Sequence, residues 1–156
     1  MTHTSRPRVE EVVYASLTGE QKEMALHFID FLKELRMTPQ WASSNSWAVS
    51  CKGKRICYIK VNVDKHTWYI RPALLYDEEL DTFCREENLV EIMLNNVHFC
   101  SACGRCAPGK TAKFFGCTLK HVCCAPIDFE FHNPGQDDLK CVKKLVEYSK
   151  KKIASK

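Results

Sequence analysis

Residues 47–74 read WAVSCKGKRICYIKVNVDKHTWYIRPAL. Apolar side chains alternate through Trp47, Val49 and Cys51, and again through Cys57, Ile59, Val61 and Val63. A period of two places such a set on one face of a β-strand. Lys52-Gly53-Lys54 and Asp64-Lys65-His66 break the alternation with turn chemistry, and Thr67–Leu74 is a third run rich in aromatic and β-branched residues. The stretch predicts an antiparallel meander of three strands.

The period changes on either side. Met24, Ala25, Phe28, Ile29, Leu32 and Leu35 recur at helical spacing, opened by Thr18 with Gln21 as a capping box and closed by Pro39. Residues 9–17 fit strand or helix. Asp77 caps a second helical region carrying Leu80, Phe83 and Cys84, which resumes after Asn88 as Leu89, Ile92, Met93 and Val97. Ile127–His132 reads as a strand. Asn133-Pro134 then opens a last helix with Leu139, Val142, Leu145 and Val146 as its apolar stripe. The expected class is α+β: an antiparallel β-meander packed against helices, with a Cys-rich zinc-knuckle segment and a C-terminal helix. The expected parts are a core over 1–97, a metal-binding segment over 98–126, and a strand and helix over 127–156 that pack back on the core as one folding unit.

Between them lies CSACGRCAPGKT, residues 100–111, in which two motifs overlap. Cys100, Cys103 and Cys106 give C-x2-C-x2-C, a knuckle tight enough to aim sulfurs at one ion, and zinc takes four such ligands. The fourth is open among Cys117, Cys123, Cys124, His98 and His121. An iron–sulfur cluster uses similar ligands, but the ferredoxin run needs a cysteine where Lys110 stands. A thioredoxin-type C-x2-C has to open a helix, which Pro108 and Gly109 prevent. Cys51, Cys57, Cys84 and Cys141 sit on predicted elements and read as inert buried thiols. Gly104, Gly109, Lys110 and Thr111 also match the phosphate-binding loop G-x4-G-K-T. That loop needs a helix after it, and Gly116 interrupts the chain too soon.

The whole chain sets further limits. With 156 residues it is long enough for one real core. A net charge of +4, gathered in the last helix and tail, is mild for nucleic-acid binding, which is not expected. No apolar run reaches membrane-span or signal-peptide length, so a cytoplasmic setting is expected, where ten cysteines are thiols or metal ligands.

Cys51–Ala73, with its Lys-Gly-Lys turn between two strands and aromatics on the next, resembles the YdhG-like proteins, small bacterial α+β domains. The resemblance spans about residues 18–96, and that group includes members described as frataxin-like iron chaperones. The cysteines at 100, 103 and 106, Pro108-Gly109, Phe115-Gly116, Val122-Cys123 and Phe131-x-Asn133-Pro134 look like the tail of Cys-rich proteins from anaerobic bacteria. This second resemblance implies Cys123 as the fourth ligand. It sets Cys117 behind Cys123, because such tails often have Lys at that place. No nucleophile–base pair stands out, so the expectation is a binding or accessory protein for a small molecule or protein, with structural zinc. Metal handling or thiol redox chemistry and a nucleic-acid-binding zinc protein are the alternatives. Trp41, Trp47, Tyr58, Trp68 and Tyr69 are a candidate pocket on the sheet, set against plain aromatic packing.

Overall fold

A computed structural model of the chain describes residues 6–100 and 108–155. In chain order its elements are α1 (Val9–Ser16), α2 (Gly19–Glu34), β1 (Gln40–Ser43), β2 (Ser46–Cys51), β3 (Lys54–Asn62), β4 (Thr67–Pro72), α3 (Glu78–Glu86), α4 (Val90–Asn95), β5 (Lys110–Phe114), β6 (Cys117–Val122), β7 (Phe131–His132) and α5 (Gln136–Ala154). The architecture is mixed α+β. The chain divides into two compact units, Met1–Arg71 with Phe131–Lys156, and Pro72–Glu130. In this division α3 and α4 group with the Cys-rich segment.

The first unit is a five-stranded antiparallel sheet of order β1-β2-β3-β4-β7 under three helices. Trp47 pairs with Ile59 and Val49 with Cys57. These four, with Val61, Trp68 and Ile70, are buried on the face against which α1 and α5 lie. Lys52 (φ 50°) and Gly53 (φ 78°) both take the left-handed conformation, the two-residue turn whose twist suits a hairpin. The meander is longer than expected. β1 joins it through Trp41 opposite Trp47, and β7 pairs with β4 through Tyr69–His132 and Ile70–Phe131. The expected strand over 127–132 reaches this sheet only at its last two residues.

Residues 9–16 are helical, with Val9, Val12, Val13 and Ser16 buried on one side. Thr18 is the N-cap of α2, but its side chain makes no capping bond. Gln21, expected to complete a capping box, is used elsewhere. Its Oε1 accepts the Trp68 indole N–H at 2.8 Å, and its Nε2 donates to the Asn133 carbonyl at 3.3 Å. The helix also ends before Pro39. Arg36 turns left-handed (φ 61°), and Met37 N–H reaches the Leu32 carbonyl at 2.9 Å, the bond pattern of a Schellman stop. α5 begins after Gly135, whose N–H is held by Asp138 at 3.1 Å, and ends among lysines that suit its negative pole. Lys150 donates to the Leu35 carbonyl at 2.8 Å, tying α5 to the end of α2.

In the second unit Asp77 caps α3 by accepting the Leu80 N–H at 2.8 Å. Asn88 (φ 57°) ends it with a second Schellman bond, Leu89 N–H to the Cys84 carbonyl at 2.8 Å. The Cys-rich segment contains a hairpin: β5 and β6 join through Phe115 (φ 52°) and Gly116 (φ 82°). Among the described residues no helix is long and apolar enough to cross a membrane.

The Gln21–Trp68 bond generates a test. Trp68 is only 1% exposed, so losing Gln21 leaves its indole N–H buried without an acceptor. Gln21→Ala is expected to cost about 2 kcal/mol in chemical denaturation. Thr18→Ala is expected to stay within ~0.5 kcal/mol, the reverse of what a capping box would give.

Candidate metal centre

The candidate ligands fall in the second unit, around an extended stretch from Val97 to Cys100. Val97 bridges Phe129 and Phe99 bridges Val122, both antiparallel. His98 N–H donates to the Asp128 carbonyl at 2.8 Å. Cys100 N–H donates to the His121 carbonyl at 2.7 Å, and Cys123 N–H donates to the His98 carbonyl at 2.9 Å. The last two bonds flank the Phe99–Val122 pair, so His98 stands opposite Cys123 and Cys100 opposite His121. Alternation then gives this small sheet two faces. Val97, Val122 and Phe129 are buried on one, which Phe99 shares while remaining exposed. His98, Cys100 and Cys123 belong to the other. Cys100 and Cys123 are diagonal neighbours there, at a backbone separation of about 7 Å, a span that side chains can close around an ion.

Gly109 packs closely against Cys100 and the chain at His121 and Val122. Its φ is +92°, and a Cβ would stand 2.6 Å from the Val122 carbonyl oxygen and 3.0 Å from the Cys100 Cβ. The chain that leaves Cys100 therefore comes back into contact with it. Cys103 and Cys106 lie outside the described residues. Next to Gly109, the Pro108 carbonyl lies 3.0 Å from Nδ1 of His121. A carbonyl only accepts, so Nδ1 carries the proton and Nε2 is left as the basic nitrogen. Metal-binding histidines are commonly oriented this way. His121 itself is left-handed (φ 65°), at the register shift between β5 and β6.

Of the remaining candidates, His98 stands opposite Cys123, while Cys124 and Cys117 lie outside that pairing. His98 Nε2 faces the buried Glu130 carboxylate at 3.6 Å. Cys124 is exposed beyond the ladder. Cys117 opens β6, and six residues of strand at about 3.3 Å each separate it from Cys123. No two of the described cysteines are joined in a disulfide. Among the described residues no three His, Cys, Asp or Glu side chains form a group able to hold a metal ion. Cys57 and Cys84 are fully buried, and burial, aided at Cys84 by Asp81, pushes each thiol up to about 12, which makes them inert at neutral pH. Lys110 opens a β-strand rather than a helix, so G-x4-G-K-T lacks the helix that a phosphate-binding loop requires.

Tyr76 carries a role that no sequence signal announced. Its N–H donates to Asp128 Oδ2 at 2.7 Å, its hydroxyl donates to Asp81, and the same oxygen accepts the Phe115 N–H at 3.0 Å. One side chain thus holds the hairpin turn to the start of α3. Burial and then the Asp81 hydrogen bond raise its hydroxyl above the usual tyrosine range.

The aromatic candidates are divided between the two faces of the sheet, Tyr58 and Tyr69 on one and the tryptophans on the other. Trp68 is buried against Phe28 at a ring separation of 6.5 Å. Tyr58 and Tyr69 take the alternate positions on β3 and β4, under Arg55 at 5.1 Å and Arg71 at 4.6 Å. Trp41 and Trp47, edge to face at 5.5 Å, line one cavity together, a groove of about 560 Å³ in the first unit. No protein-family model, curated protein or solved structure matches this chain.

The Gly109 contact yields a second test. Gly109→Ala is expected to destabilise by at least ~2 kcal/mol, because its Cβ meets backbone that cannot step aside. Gly116→Ala, whose Cβ meets nothing within 4 Å, should cost only about 1 kcal/mol for its left-handed φ. Hydrogen exchange in Gly109→Ala should rise most at residues 97–100 and 121–123.

Proposed function

We propose that the chain is a cytoplasmic binding or accessory protein whose Cys-rich segment is stapled by a structural zinc ion on Cys100, Cys103, Cys106 and Cys123. The observation that carries this reading is the return of Gly109 onto Cys100, beside the strand that presents Cys123. The residues flanking 101–107, the stretch that carries Cys103 and Cys106, are thereby held at the same place. Each of those cysteines is three residues from an anchor, a reach of about 10 Å. Four thiolates close a tetrahedral site and leave zinc with two net negative charges, which suits a staple and weakens a Lewis acid. A second reading exchanges Cys123 for His121, and the Pro108–His121 hydrogen bond favours it.

Freshly purified protein is expected to hold about one zinc per chain. Cys100→Ser and Cys103→Ser should each weaken zinc binding at least ~tenfold, and Cys117→Ser should not. If Cys123→Ser keeps the metal and His121→Ala loses it, the second reading holds. Iron with visible absorbance overturns both. Chelation should remove hydrogen-exchange protection over 98–126 while the meander from Cys57 to Leu74 keeps its own, since its alternating core contains no candidate ligand.

A further inference from the structure

The groove beside Trp41 is built from three directions. The Schellman stop of α2 sends Thr38-Pro39 outward into β1. Trp47 is 1% exposed, and its indole N–H donates to the Pro7 carbonyl at 3.1 Å, pinning the segment before α1 over the sheet. Lys33 enters from the last turn of α2. The resulting cavity of about 560 Å³ lies within the size range of small-ligand sites.

Its chemistry is two-sided. Trp41 is half-buried, and Pro39 and Pro7 add apolar walls. Arg6, Arg8 and Lys33 line the same space, against one carboxylate, Glu10. That carboxylate lies 3.3 Å from Arg8 Nε and 2.8 Å from Lys33 Nζ, so it holds both cations at the groove while cancelling only part of their charge. Burial acts to raise the Glu10 carboxyl, but the Lys33 bond and the two cations outweigh it and hold the group ionised below the usual range. Val9 and Glu10, the first residues of α1, also line the groove, adding the positive pole of a helix.

We infer that this groove binds a small organic anion: a flat aromatic body stacked at Trp41, with its phosphate or carboxylate held by Arg6, Arg8 and Lys33. Planar guanidinium groups suit either oxyanion, and an indole accepts any π-face. The groove lies wholly in the first unit, so this inference does not rest on the zinc reading.

Indole N–H signals of 15N-labelled full-length protein provide the test, with adenosine 5′-monophosphate, 1-naphthoate, adenosine and inorganic phosphate as probes. Either or both of the first two should shift the Trp41 and Trp47 signals saturably below millimolar concentration and leave Trp68 in place. Which of them does so assigns the anion as phosphate or carboxylate. Arg8→Gln, at a side chain 72% exposed and so without consequence for folding, should weaken binding at least ~tenfold, as should Trp41→Leu. Adenosine and inorganic phosphate alone should bind at least ~tenfold more weakly than the combined probe. No saturable shift with either anion, unchanged affinity in Arg8→Gln, or equal affinity for a half-probe would each overturn the inference.

Discussion

The indole N–H of Trp68 is buried in the middle of the first unit and has to be satisfied there. Gln21 satisfies it from α2. The Trp68 backbone is closed on Asn133 by two further bonds: its N–H to Asn133 Oδ1 at 3.1 Å, and its carbonyl from the Asn133 N–H at 2.9 Å. Asn133 takes a left-handed φ of 41° to reach both, and its own carbonyl receives Gln21. One tryptophan, one glutamine and one asparagine thus fix α2, β4 and the turn into α5 relative to one another. Apolar burial is non-directional and would tolerate a slide of α2 along the sheet. These bonds do not, since each slipped register leaves a buried polar group unpaired.

A second constraint works in the same way around the cysteines. Neither Cys100 nor Cys123 lies in a long element, and neither has local propensity to hold it. Their places follow from backbone bonds between 97–100, 121–123 and 128–130, and from a glycine that allows the chain to pass where a side chain would not fit. The buried Val97, Val122 and Phe129 behind them supply the driving force, and the hydrogen bonds supply the register. A one-residue slip would exchange the two faces and bury the sulfurs.

What was legible in the sequence follows from where periodicity survives. The meander, α2, α3 and α5 each bury one face and leave the other wet, so their patterns appear in the residue order. The β5–β6 hairpin did not show, because most of its residues are exposed and its turn is Phe115-Gly116, where a bulky residue holds a conformation normally left to Gly or Asn. Its reason is tertiary: Tyr76 takes the Phe115 N–H and packs against its ring at 4.9 Å. α1 was ambiguous because its spacing is helical while its valines favour strands. The capping box at Thr18 and Gln21 was a correct local pattern overridden by a distant indole. At the candidate site, spacing pointed to the ligand types. The return of Gly109 onto Cys100 and the Pro108 bond to His121 are long-range contacts that no spacing encodes.

The size of the second unit bears on what its cysteines are for. Pro72–Glu130 has two short helices and a largely exposed hairpin. Its buried apolar set is small, with Leu80, Leu89, Met93, Phe114 and Phe129 among its larger members. A chain of roughly 60 residues buries only about 60% of its unfolded surface and stands near the limit of independent stability. Disulfides or a metal commonly supplement such a core. The described cysteines here are not joined to each other, so the zinc reading supplies the cross-link where the apolar core is thinnest. The polar bonds of Tyr76 hold one end of the hairpin, at the Phe115 turn. The other end, where β6 runs into Cys123 and Gly109 leads into β5, carries the His121–Pro108 bond. A metal bound by Cys100 and Cys123 would fasten that end as Tyr76 fastens the first.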